Sequence, residues 1–215
     1  MAELVCAAVL FDLDGVLIDS TSCIRRHWEE WTRQHGLDME SLMRVAHGLR
    51  TIETMRHVAP QLDVEQEAKR FEAIEVADTE GVVEIEGASQ ILECLLRHVW
   101  GIVTSGSQEL ARARLNRAGL PVPDTLISGD MVKQGKPAPE PYLLGAKRMG
   151  VAVEDCVVVE DSPAGIAAAK AAGMQTIGVA STHSREELAC EFIVGKLTDL
   201  KIQLGDRDRL VIRIM

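Results

Sequence analysis

The chain reads as an α/β protein built on a parallel sheet, and three observations predict this. Apolar runs of strand length recur along the sequence, and each stops abruptly at a short polar cluster. Helical patterns with matched start and stop residues fill the spaces between them. One long stretch after the first run breaks the rhythm, being helical throughout. Alternating strand and helix predicts a parallel sheet with helices on its faces, and the exception predicts a helical insertion.

Leu4 to Phe11 is a continuous apolar run ending at Asp12-Leu13-Asp14-Gly15, which suits one strand buried on both faces. Ser22 to His35, Met39 to His47, Thr51 to Val58 and Val64 to Ala77 read as the inserted helices, and Gly81 to Gly87 returns the chain to the sheet. His98 to Val103 is the next strand and runs into Thr104-Ser105-Gly106-Ser107. The helix Gln108 to Ala118 then stops at Gly119 and Pro121. Thr125 to Ser128 is a weaker strand before Gly129-Asp130, and Pro141 to Met149 is a helix closed by Gly150. Cys156 to Val159 runs into Glu160-Asp161-Ser162-Pro163. A helix follows from Pro163 to Ala172, with Ser162 as N-cap and Gly173 as stop. Thr176 to Ala180 runs into Ser181-Thr182-His183-Ser184. Parallel sheets bind ligands beyond the carboxyl ends of their strands, where every one of these polar clusters falls.

A length of 215 residues suits one domain carrying a modest insertion. Hydrophobic residues at 47% allow a real core, and aromatic residues at 3% mean that Val, Leu, Ile, Ala and Met must build it. The formal charge of −10 argues against a nucleic-acid backbone or an anionic membrane as partner. A local cation pocket for a phosphorylated small molecule remains compatible with it. Cys6, Cys23, Cys94, Cys156 and Cys190 show no paired spacing and read as buried thiols of a reducing compartment. No basic stretch precedes the first apolar run and none approaches membrane-spanning length, so a cytoplasmic protein is expected.

The sharpest chemical signal is Asp12-Leu13-Asp14-Gly15. Two carboxylates at the end of a buried strand repel each other and lose solvation, so they call for a cation or a shared proton. Glu160-Asp161 closes a second buried strand in the same way. If those strands are neighbours, three or four carboxylates converge, and all-oxygen ligands favour a hard divalent ion such as magnesium. Asp161 also has a plainer role open to it, in capping the helix from Pro163. Thr104, Ser105 and Gly106 offer hydroxyls and backbone N–H groups at a helix start, either as an anion site or as an ordinary cap. Lys136 lies on the proline-stiffened Gly135-Lys136-Pro137-Ala138-Pro139, which suits a fixed positive charge; Lys133 is the bystander.

Taken in order, DLDG (12–15), TSGS (104–107), GKPAPEPY (135–142) and VVVEDSPAGIAAAKAAG (157–173) resemble the four motifs of the haloacid dehalogenase superfamily. The insertion is similar to the small cap of its sugar-phosphate and β-phosphoglucomutase-like branch. The expected fold is therefore α/β, a Rossmann-like doubly wound parallel sheet with an inserted helical cap domain: residues 1–15 and 84–215 as core, 16–83 as cap. The resemblance implies a magnesium-dependent phosphatase acting on small phosphomonoesters. Asp12 would be the nucleophile and Asp14 the acid and base. Asp12, Asp161, Glu160 and the backbone of Asp14 would hold Mg2+. Thr104, Ser105, Gly106 and Lys136 would hold the phosphoryl group. The second aspartate, Asp14, also argues against carbon–halogen hydrolysis. Val16 replaces the threonine more usual after DLDG, and Leu95 to Val99 lacks the usual glycine turn before its strand.

Within the cap, His47-Gly48-Leu49-Arg50-Thr51 resembles a segment of hexitol, sugar and glycerol phosphatases. It makes Arg50 a candidate substrate contact, with a plain surface arginine as the alternative; His47 is a weaker candidate. The expected partner is a small phosphate ester, with no nucleic acid and no membrane, on a monomer or weak dimer. Two other readings stand beside the phosphatase: a phosphomutase that shields its aspartyl-phosphate from water, and a phospho-receiver that relays a signal. The insertion and Asp14 weigh against the receiver.

Overall fold

The computed structural model describes residues 2–46, 48–205 and 209–215. The first apolar run does not form one strand. It divides at Ala7 into β1 (Ala2–Cys6) and β2 (Ala8–Phe11). A short strand β3 (Ile18–Asp19) leads into helices α1 (Thr21–His35), α2 (Met39–Ala46), α3 (Thr51–Val58) and α4 (Val64–Ala77), and β4 (Val83–Glu84) leads out. Of the expected helix over Met39 to His47, Met39–Ala46 is described and helical, and His47 lies outside the described residues. After α5 (Ala88–Glu93) come β5 (Trp100–Val103), α6 (Gln108–Ala118), β6 (Thr125–Ile127), α7 (Glu140–Met149), β7 (Cys156–Glu160), α8 (Pro163–Ala171) and β8 (Gln175–Val179). A short α9 (Arg185–Leu188), β9 (Phe192–Val194), β10 (Leu200–Leu204) and β11 (Leu210–Ile214) complete the chain.

The main sheet is parallel, with six strands in the order β6-β5-β2-β7-β8-β9. Its strands alternate strictly between two cores. Val9, Phe11, Val157 and Val159 face a cluster with Trp100, Ala111 and Leu115. Ala8, Leu10, Cys156 and Val158 face the other, with Tyr142, Ala146 and Ala168. Burial on both faces is why these strands read as unbroken apolar runs. Ser162 caps α8 by accepting a hydrogen bond from the Gly165 N–H, an arrangement worth about 1 kcal/mol.

Two departures from the sequence reading have physical causes. β1 belongs to a separate antiparallel sheet, in the order β1-β11-β10, so Ala2 to Cys6 is apolar on one face only. Alternation there is masked because Val5 is apolar yet 51% exposed. Among the cysteines, Cys94 is exposed and Cys190 half-buried, so the expectation of uniformly buried thiols is corrected; all five are free.

Helices α1 to α4 pack around a cluster of their own, built from Trp28, Trp31, Leu42, Met55 and Phe71. The scarce aromatic residues concentrate there, with the Trp28 and Phe71 rings 4.2 Å apart. Each such ring buries a large apolar area, which lets a small helical unit hold together. The antiparallel pair β3–β4 joins this unit to the sheet at its base. No helix among the described residues is long and apolar enough to cross a membrane.

Candidate active site

Numbered along the main sheet alone, the strand order is the Rossmann order, and its reversal point lies beside β2. Ligands of such sheets bind at that crevice, beyond the strand ends. The residues that follow the three central strands are Asp12 after β2, Thr104 after β5 and Asp161 after β7. Topology therefore brings together clusters that lie far apart in the sequence.

Asp12, Glu160 and Asp161 offer carboxylate oxygens all within 4.8 Å of one another, and all three residues are buried. Lys136 enters from the loop before α7. Its Nζ donates to Asp12 Oδ1 at 2.6 Å, to Glu160 Oε1 at 2.6 Å and to the Val103 carbonyl at 3.1 Å. Burial alone would lower the Lys136 ammonium, but the flanking Asp12 and Glu160 carboxylates outweigh it and hold the group well above its ordinary value. One ammonium among three buried carboxylates leaves negative charge in excess. Burial accordingly pushes Asp12 up to about 7, with Lys136 opposing and Glu160 adding to the rise. Burial, then Glu160 and Asp12, push Asp161 well above the usual carboxylate range.

The three acids are not equivalent. Glu160 Oε1 accepts from Lys136 and from the Tyr142 hydroxyl, while Oε2 accepts from the Asp161 and Ser162 N–H groups and the Ser162 hydroxyl. Five donors saturate it, so it holds Lys136 and the β7–α8 turn in place. Asp161 is held by the Thr182 hydroxyl, and no hydrogen bond among the described residues falls on its Oδ1 or on Asp12 Oδ2. Hard, buried, undercompensated oxygens of this kind fit a hard divalent cation. Gly15 has φ of 85°, and a Cβ there would overlap the Asp161 carboxylate, so glycine is required on both counts.

Asp14 sits above this cluster. Its Oδ1 accepts from the Ser20 hydroxyl at 2.5 Å and from Arg114 at 2.9 Å. Thr104 is buried and accepts from the Gly106 N–H. Ser105 donates to the Gly48 carbonyl of the insertion at 2.7 Å. Asp12, Asp14, Thr104, Ser105, Gly106 and Asp161 all line a cavity of about 110 Å³, closed from above by Ile24, Trp28, Met43 and Thr54 of the helical unit.

Arg50 is placed elsewhere. Its guanidinium donates to the Gly129, Val132 and Lys133 carbonyls and pairs with Glu53, so it ties the start of α3 to the loop after β6 instead of lining the cavity. Sequence reasoning put it in the site through the resemblance of its segment to phosphatases of hexitol, sugar and glycerol phosphates; its neighbours Gly48 and Leu49 do line the cavity. In an extended residue before a helix, one position decides which way a side chain points. Arg114, Glu75, Tyr142 and Thr182 were missed. Tyr142 and Thr182 lie inside quoted motifs, so their position carried a signal. Arg114 and Glu75 lie mid-helix with ordinary spacing, and nothing local distinguishes them.

Together these features define an α/β enzyme whose working groups gather at the switch point of its sheet beneath a helical insertion. A family model for haloacid dehalogenase-like hydrolases matches residues 9–179. Hexitol phosphatase A of Escherichia coli (strain K12) is 44% identical over 179 residues, covering 81% of this chain and 83% of that protein. Glycerol-1-phosphate phosphohydrolase 2 of Saccharomyces cerevisiae is 35% identical over 210 residues, covering 91% and 84%. A hydrolase from Pseudomonas syringae shares the fold, with a TM-score of 0.78 at 24% identity over 89% of this chain and 94% of that one. A structure of a hydrolase of the same family from Deinococcus radiodurans, solved with bound phosphate and sodium, gives a TM-score of 0.65 at 28% identity over 90% and 92%. The chain belongs to the haloacid dehalogenase-like hydrolase family.

Proposed function

We propose that this chain is a phosphatase of small sugar or polyol phosphates, with residues 1–15 and 84–215 as its core and 16–83 as its cap. The observation that carries the reading is the cluster of Asp12, Glu160, Asp161 and Lys136 at the switch point, with Asp14 beside it and a small roofed cavity above. The names of the relatives support the same chemistry, since the two reported are a hexitol phosphatase and a glycerol-1-phosphate phosphohydrolase.

In the proposed reaction Asp12 attacks phosphorus, and the bond to the leaving oxygen breaks as a carboxyl–phosphorus bond forms. Asp14 gives its proton to the departing alkoxide. It then takes one from the water that cleaves the aspartyl-phosphate, which frees phosphate and restores both residues. Lys136 fixes Asp12 by one oxygen. Ser105 and the Gly106 N–H, which here donate to the Gly48 carbonyl and to Thr104, would turn to phosphoryl oxygens as substrate enters and charge redistributes. Asp12 and Asp161 would hold magnesium, with Glu160 supporting the turn and the Asp14 backbone as a further donor. Such an ion supplies charge neutralisation between carboxylate and phosphate.

The cavity supports a small substrate, and Thr54 hints at its nature. Thr54 lines the cavity, and its buried hydroxyl has no partner among the described residues. A buried unpaired hydroxyl is costly, and a substrate hydroxyl satisfies it. The unpaired cysteines suit a cytoplasmic setting.

The test is a panel of sugar and polyol phosphates with phosphate detection, with and without chelator, on the parent and Asp12→Asn. Metal-dependent phosphate release that disappears in Asp12→Asn supports the reading. Isomerised ester without release would make the protein a mutase, and no turnover of any ester would overturn the reading.

A further inference from the structure

Arg114, on α6 of the core, is buried to 4% exposure and divides its guanidinium between two carboxylates. Nη1 donates to Asp14 Oδ1 at 2.9 Å and Nη2 to Glu75 Oε1 at 2.8 Å. Asp14 follows the central strand, while Glu75 stands on α4 of the helical insertion and is itself buried to 4%. One core side chain thus joins the acid to the insertion. The Ser20 hydroxyl donates to the same Asp14 oxygen, whereas Oδ2 receives no hydrogen bond among the described residues. With two donors on Oδ1, the proton of the acid form belongs on Oδ2, and Asp14 lines the cavity.

We propose that Arg114 is a positioning residue for Asp14, and that Glu75 anchors it from the insertion. The acid is then set in its working orientation only while α4 is docked. This rests on the phosphatase reading above. The two paired nitrogens of Arg114 point at carboxylates on two different elements, one of them the acid itself. Buried ion pairs are also weak stabilisers, because desolvation offsets their attraction. The arrangement is better explained by what it does to Asp14. Each cycle transfers a proton from Asp14 to the leaving alkoxide and returns one from water. Arg114 takes no part in the transfer; it fixes which oxygen carries the proton.

The test exploits leaving-group chemistry. Nitrophenolate departs from p-nitrophenyl phosphate without protonation, whereas the alkoxide of glycerol 1-phosphate needs a proton. kcat/KM reports the steps up to phosphorylation of Asp12. For Arg114→Met we expect a fall on the order of 100-fold on glycerol 1-phosphate and under about tenfold on p-nitrophenyl phosphate, matching the usual size of acid catalysis. Arg114→Lys should recover part of the selective loss. Because Arg114→Met strands the buried Glu75 carboxylate, the double variant R114M/E75M is measured alongside, with thermal melting as a check on folding. Equal losses on both esters in the folded double variant, or parent-like rates on both, would overturn the proposal. If the parent protein releases phosphate from neither of these nor from any other ester of the panel, the phosphatase reading falls first and this inference with it.

Discussion

Lys136 Nζ lies 2.6 Å from Asp12 Oδ1, although the two residues are 124 positions apart in the chain. The ammonium is 2% exposed and is also shared with Glu160. It is therefore the fixed counter-charge of the cluster, and its removal has a defined outcome.

Lys136→Met leaves Asp12 and Glu160 buried without their cation. Breaking a buried pair from one side costs about 3–5 kcal/mol. Phosphate release should fall by at least about 1,000-fold, since nucleophile placement and charge stabilisation are lost together. Urea unfolding and a phosphate assay check the two parts separately.

Gly15→Ala forces a side chain into a positive-φ position and onto the Asp161 carboxylate. A strained backbone of this kind costs on the order of 1–3 kcal/mol. Displacing Asp161 should also raise the magnesium concentration needed for half-maximal turnover, which a metal titration at saturating substrate would reveal. An unchanged titration would mean that Asp161 does not hold the ion.

Arg50→Ala should slow turnover of every substrate by a similar factor without changing the preference among them. Arg50 ties the insertion to the loop after β6 and does not face the cavity. A change in preference between polyol and ring phosphates would return Arg50 to the binding site.

Glu75 gives the stability a pH dependence of known sign. Burial pushes its carboxyl up to about 7, with Arg114 opposing. Between the ordinary glutamate value of about 4.5 and about 7, the folded protein holds a proton that the unfolded chain has released. The Glu75 contribution is therefore fully present at low pH and is lost as pH rises through that window. Glu75→Gln should flatten this part of the profile, measured as the urea midpoint in chelator from pH 5 to pH 8.

The strand ends were legible in the sequence because chemistry and burial change together there. An unbroken apolar run that meets Asp12 or Glu160 can hardly be anything else, and proline and glycine marked α7 and α8 at both ends. The division of the first run at Ala7 was hidden, because the outward side of β1 still carries Val5. Strands β9, β10 and β11 were not expected at all. They are short or half-exposed, and β11 finds its second partner, β1, at the other end of the chain. The same holds inside the site. Asp12, Asp14, Glu160, Asp161 and Lys136 lie in local motifs, whereas Arg114 and Glu75 matter only because α4 docks on α6. The insertion's closeness to the Ser105 and Ser107 loop was invisible for that reason.

The strand bearing Asp12 comes early in the chain but lies between β5 and β7 in the sheet, with partners at Trp100–Ile102 and Cys156–Val159. During synthesis β5 and then β7 emerge long after β2, so closure of the sheet around β2 is a late, long-range event. A nascent fragment ending just before residue 160 carries Asp12, Asp14 and Lys136 but lacks Glu160 and Asp161, two of the three clustered carboxylates. The carboxylate cluster is therefore complete only when the fourth strand of the sheet takes its place beside the first.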